Sequence, residues 1–156
     1  MKILILGSKG MLGTEFMDTL SNEQFTTLGI DKENLDLTVS LETINYIREN
    51  NPDIIINCSA YTNVDQAETD IDNTFKVNAT AVKNIAIASK IVDAKLVHFS
   101  TDYVFDGETN KPYFEWDQTN PINNYGSSKL YGEKLIREQW SKHFILRISW
   151  LYGKHG

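Results

Sequence analysis

Tyr125 and Lys129 form the only Tyr-x-x-x-Lys of the chain. On a helix, positions four apart share a face, so the ammonium can stand beside the phenol. A phenol ordinarily loses its proton near pH ~10, and a neighbouring cation favours the ionised form and moves that value toward neutrality. Such a phenol is a general acid able to protonate the oxygen of a carbonyl that receives hydride. Lys129 could also donate to the hydroxyls of a nicotinamide ribose, and the hydroxyl of Thr101 could orient the same carbonyl. Taken alone, a tyrosine and a lysine at this spacing serve equally well as surface residues of a helix. Their meaning depends on the segments that would surround them.

Lys2-Ile3-Leu4-Ile5-Leu6 is a continuous apolar run behind one lysine, the pattern of a strand covered on both faces. Gly7-Ser8-Lys9-Gly10-Met11-Leu12-Gly13 follows at once, and 14–20 then has helical spacing. A strand breaking at glycine into a helix aims free backbone N–H groups and the positive end of the helix dipole at one spot, which suits a phosphate. Gly7 would make the tight turn, Gly10 would admit a pyrophosphate, and Gly13 would let helix and strand pack closely. The spacing is G-x-x-G-x-x-G rather than G-x-G-x-x-G.

Further along, 25–30 reads as a second strand ending at Asp31-Lys32. An acid at that place would hold a ribose 2′-hydroxyl and repel a 2′-phosphate, whereas the adjacent lysine would favour the phosphate, so NAD and NADP both stay open. Asp36 could accept from an adenine amino group beside Leu37, or Asp36 and Thr38 could lead into a helix capped by Ser40. The third strand, 53–58, ends in the small residues Ser59-Ala60 before Tyr61. One long helix is expected over 72–91, a fourth strand over 94–99 running into Ser100-Thr101, an ordered loop over 111–124, a helix over 125–142 and a fifth strand over 144–150. This β-α alternation predicts an α/β doubly wound parallel sheet of the Rossmann type, whose carboxyl edge would gather the glycine turn, Thr101, Tyr125 and Lys129.

With 156 residues, one domain is expected. A formal charge of −6 without clustered cations argues against nucleic acid. No apolar run approaches the ~18 residues of a membrane span, and no charged start precedes a signal core, so a cytoplasmic location is expected. Cys58 is the only cysteine and reads as a buried, inert thiol, while His98, His143 and His155 lack ligand spacing, so no metal is expected.

Several blocks carry a resemblance: Gly7 through Gly13, Asn57-Cys-Ser-Ala-Tyr-Thr-Asn-Val-Asp-Gln-Ala-Glu68, Ser100-Thr-Asp-Tyr-Val-Phe-Asp-Gly107, Asn124-Tyr-Gly126 through Lys129, and Arg147-Ile-Ser-Trp-Leu-Tyr-Gly153. Together they resemble the extended, nucleotide-sugar-acting short-chain dehydrogenase/reductase superfamily, and within it the dTDP-4-dehydrorhamnose reductase family. The resemblance implies NADPH- or NADH-dependent reduction of the 4-keto group of dTDP-6-deoxy-L-lyxo-4-hexulose to dTDP-L-rhamnose. It implies a catalytic triad of Thr101, Tyr125 and Lys129, and a cofactor lined by Gly7, Gly10, Met11, Leu12, Asp31, Ala60 and Tyr61, with Gly13, Asp36 and Leu37 completing the expected set. Tyr103 and Trp150 would approach the nucleotide sugar, or be core aromatics at strand ends. Members of that family are nearly twice as long, so residues 1–156 are expected to be the NAD(P)-binding half without the C-terminal substrate domain. Three alternatives remain: a non-catalytic NADP-binding regulatory subunit like that of methionine adenosyltransferase, and a reductase or an epimerase for another nucleotide sugar. An alanine-rich helix leaves a homodimer open.

Overall fold

The computed structural model describes residues 1–21 and 25–155. Five strands, β1 (Lys2–Leu6), β2 (Thr26–Ile30), β3 (Ile54–Asn57), β4 (Lys95–Thr101) and β5 (His143–Ile148), form one sheet in the order β2-β1-β3-β4-β5. Every pairing is parallel, with Leu4 beside both Leu28 and Ile55, and Ile55 beside Leu96. The chain leaves β1 for β2 on one side and places β3 on the other. A crevice therefore opens between the carboxyl ends of β1 and β3, where open α/β sheets take ligands.

The continuous apolar runs are explained by burial on both faces. Leu4, Leu6, Ile55 and Leu96 point to one side, where they meet Ile47 of α2 (Ser40–Asn50), Val82, Ile85 and Ala86 of α5 (Ala81–Ile91), and Ile136 of α6 (Asn124–Gln139). Ile3, Ile5 and Ile56 point to the other, against Phe16, Met17 and Leu20 of α1 (Met11–Ser21). Each such side chain contributes about 2 kcal/mol of hydrophobic stabilisation. Edge strand β5 is less covered, with Phe144 and Leu146 exposed.

Several boundaries depart from the sequence reading. Helix α1 begins at Met11, directly out of the glycine turn. The helix expected over 72–91 is interrupted: α3 (Val64–Ala67) and α4 (Ile71–Phe75) lead into a π-helical segment, Lys76–Thr80, before α5. At its centre, buried Asn78 accepts from the Tyr61 amide at 2.9 Å and donates to the Tyr61 carbonyl at 3.0 Å. That clamp fixes the loop after β3 and accounts for the widened turn. Helix α6 stops at Gln139 because Trp140 turns extended and its indole N–H donates to the Ala94 carbonyl. Ser40 is not a cap: it is the first helical residue of α2, which follows Val39 with no side-chain cap bond, and Asp36 takes the Thr38 amide and hydroxyl in the turn before it. No helix among the described residues is long and apolar enough to cross a membrane, and no described cluster could hold a metal.

Candidate active site

The first part of the crevice is built by the glycine turn. Gly7 adopts φ +75°, and its amide and that of Ser8 donate to the Ile30 carbonyl at 2.9 and 3.1 Å. A β-carbon on Gly13 would lie 2.1 Å from the Gly7 carbonyl oxygen, so α1 rests directly on the turn. The Lys9 amide donates to Asp31 Oδ2 and the Gly10 amide to the Gly7 carbonyl. Met11, Leu12 and Gly13 then carry the first-turn amides of α1 that no described backbone carbonyl takes. These three donors, at the positive end of α1, fit an anion.

A groove of about 650 Å³ runs from this turn past the end of β2. Gly7, Gly10, Asp31, Asp36, Leu37, Ala60 and Tyr61 line it. Asp31 is held in place, its carboxylate closing the turn onto the amides of Lys9 and Lys32. Bonds from the Thr38 hydroxyl and amide hold the Asp36 carboxyl below its usual range. Lys32 and Lys76 also line this end. Lys76 has no sequence signal, because its place depends on the π segment. Gly13 lies beneath the groove, buried against the turn.

A second groove, of about 570 Å³, joins the first at Gly10, Cys58, Ser59 and Ala60. Met11, Leu12, Thr101, Tyr103, Tyr125, Lys129 and Trp150 line it. Thr101 is the last residue of β4 and begins the 3-10 turn Asp102–Val104, accepting from the Tyr103 amide. Its hydroxyl donates to Asp102 Oδ1 at 3.1 Å, and Asp102 Oδ2 accepts from Ser149 at 2.7 Å. Helix α6 starts under the Asn123 side chain, which takes the Gly126 amide, while Glu68 binds the Asn124 amide and side chain. These caps set Tyr125 and Lys129 on the face toward β4. Tyr103 meets the Tyr125 ring edge-on at 5.6 Å. Neither Tyr103 nor Trp150 is a core aromatic: Tyr103 is 40% and Trp150 89% exposed.

The electrostatics correct one expectation. Burial pushes the Tyr125 phenol above its ordinary range; contact with Thr101 pulls the other way, and Asp102 and Tyr103 add to the rise. Activation toward neutrality by Lys129 is not what the geometry gives. The Lys129 ammonium donates instead to the Phe99 carbonyl of β4 at 2.6 Å, and burial lowers it to about 8. The consequence is a phenol that keeps its proton and a lysine that keeps its charge at neutral pH. Behind them, buried His98 accepts from Asn57 Nδ2 at 3.0 Å and is held neutral by burial and by Lys129. Cys58 is half-buried, and burial pushes its thiol up to about 12, which makes it inert.

The fold has close counterparts. Residues 1–156 match the family model described as the RmlD substrate binding domain. A dTDP-4-dehydrorhamnose reductase of Escherichia coli is 39% identical over all of this chain and 53% of its own length. The solved structure of a dTDP-4-dehydrorhamnose reductase from Bacillus anthracis in complex with NADP is 44% identical, with a TM-score of 0.97 over 99% of this chain and 55% of that one. The solved structure of a dTDP-4-dehydrorhamnose reductase from Clostridium acetobutylicum is 42% identical, with a TM-score of 0.97 over 99% of this chain and 55% of that one. The chain thus spans about half the length of the relatives it matches. Since the family model runs from the first residue to the last, the chain belongs to the RmlD substrate binding domain family.

Proposed function

We propose that residues 1–156 are the NAD(P)-binding unit of a reductase acting on the 4-keto group of a dTDP-6-deoxyhexulose, giving dTDP-L-rhamnose. The observation that carries this reading is the continuity of the two grooves. Three unclaimed amides at the start of α1 share one crevice with a protonated phenol and a charged lysine. The first groove would take the adenosine end of NADPH or NADH and the amides its pyrophosphate. When bound, the nicotinamide supplies hydride. Lys129 would donate to its ribose, Thr101 would orient the substrate carbonyl, and Tyr125 would deliver the proton to the oxygen that becomes the alcohol. Tyr103 and Trp150, exposed on the wall of the second groove, would border the sugar nucleotide.

A solved relative named with NADP favours that cofactor class, and the retention of Thr101, Tyr125 and Lys129 at one groove favours an enzyme over a regulatory binding module. The test follows NADPH absorbance with the 4-keto nucleotide sugar as substrate, comparing the chain with Tyr125→Phe. A loss of about 10²-fold or more in rate with unchanged NADPH affinity is expected. Equal and measurable rates would remove Tyr125 from the chemistry. Failure of both proteins to bind NADPH would remove the cofactor assignment as well.

A further inference from the structure

Glu133 is fully buried one helical turn beyond Lys129 on α6, and no step above uses it. Its carboxylate collects four donors from three elements. Ser100 Oγ of β4 and Arg147 Nε of β5 reach Oε1 at 2.6 and 2.9 Å. Arg147 Nη2 and Arg137 Nη2 reach Oε2 at 2.8 and 3.0 Å. Burial opposes the charge, but these donors outweigh it and hold the carboxyl below its usual range. Lys129 is equally enclosed, at 2% exposure, and makes no ion pair within 4 Å among the described residues. An ammonium in such a place is costly unless a fixed charge offsets it.

We propose that Glu133 is a positioning residue: an immobilised counter-charge that keeps the Lys129 ammonium protonated at the cofactor face of α6, with Arg147 and Ser100 holding Glu133 still. The proposal rests on the reading of Lys129 as a cofactor donor. Glu133 is the charge that opposes the effect of burial on Lys129. The other groups around this lysine do not replace it. His98 of β4 is neutral, and Asp102 and Tyr103 bear on Tyr125. Glu68 is bound to Asn124 at the start of α6, Arg137 and Arg147 are engaged by Glu133 itself, and Asn78 of the π segment binds Ser128.

The same four bonds would also make Glu133 a purely mechanical staple of α6 to β4 and β5, and the experiment separates the two roles. The chain is labelled with ¹³C at the lysine ε-carbons, and the Lys129 signal is assigned with Lys129→Met. Its titration is then followed by NMR in wild type, in Glu133→Gln and in Glu133→Gln/Arg147→Met. The double variant removes both buried charges together, which folds tolerate far better than removing one. The Lys129 midpoint, near 8 in wild type, is expected to fall by about 1 pH unit in the single variant and by less in the double variant. A midpoint equal to wild type in the single variant would overturn the proposal and leave a staple. NADP⁺ affinity against pH, read by fluorescence, is measured in parallel and is expected to lose its alkaline limb at correspondingly lower pH. A midpoint that moves while the affinity profile does not would support the counter-charge and overturn the placement of Lys129 on the cofactor.

Discussion

Gly126 lies against the backbone carbonyl of Tyr103: a β-carbon added to it would stand 2.1 Å from that oxygen. The residue after the proposed acid thus sets how closely α6 approaches the turn that carries Thr101, and the edge-on contact of Tyr103 with Tyr125 depends on the same approach. Since the obstacle is backbone, Gly126→Ala must push the helix and the turn apart. Overpacking of this kind costs about 1–3 kcal/mol. The expected outcome is a lower Tm by thermal unfolding and a loss of turnover larger than the loss of NADPH affinity, because the glycine turn of α1 is untouched. Retained turnover with wild-type Tm would show that the carbonyl moves freely.

The buried lysine sets a pH dependence with a definite sign. Lys129 falls from 10.5 to about 8 on folding, so between those values the unfolded chain binds the extra proton and stability rises with pH. Below about 8 the full penalty of burying the charge is present, of the order of 3 kcal/mol for a shift of this size. Lys129→Met removes it. The variant is therefore expected to be more stable than wild type at pH 7 in urea unfolding, with the difference shrinking as pH rises toward 10.5, and at the same time to bind NADPH more weakly. A variant less stable than wild type at pH 7 would show that the bond to the Phe99 carbonyl outweighs the buried charge.

The same values predict which group limits function at alkaline pH. Tyr125 is raised above 10, so it remains a proton donor wherever Lys129 is still charged. Cofactor affinity should decline with a midpoint near 8 as the lysine loses its proton, without any break assignable to the phenol. Measuring NADPH affinity from pH 6 to 10 in wild type and in Tyr125→Phe checks this, and the two profiles should coincide. A profile whose alkaline limb vanishes in the phenylalanine variant would assign the limb to the tyrosine instead.

Strands were legible where the chain is apolar without alternation: the runs at 2–6 and 54–57 have no other comfortable place than the middle of a covered parallel sheet. From that order the meeting of Thr101, Tyr125 and the glycine turn at one rim follows by topology. What was hidden depends on partners distant in sequence. The π segment answers to Asn78 reaching Tyr61, seventeen positions away. The Tyr125 shift is set first by burial, while Lys129 donates to a carbonyl of β4, and a Tyr-x-x-x-Lys spacing reveals neither. Glu133 reads as one more helical acid until Arg147 of β5 is beside it.

Cofactor choice turns on a carboxylate that already has structural work. Asp31 receives the amides of Lys9 and Lys32, so it closes the glycine turn as well as facing the first groove. A carboxylate there repels a 2′-phosphate, while Lys32 and Lys76 on the same wall attract one. With both signs present, neither NADH nor NADPH is strongly excluded. Asp31→Asn should separate the two duties. Its amide oxygen can still accept one backbone N–H, so the turn is expected to lose only about 1 kcal/mol, while the repulsion disappears and the two lysines act unopposed. The ratio of NADPH to NADH affinity, measured by fluorescence titration at low and at moderate salt, should rise by about tenfold, a ~1.4 kcal/mol change, and the gain should shrink as salt screens these exposed lysines. An unchanged ratio would mean that the 2′ position of the ribose does not lie at the end of β2.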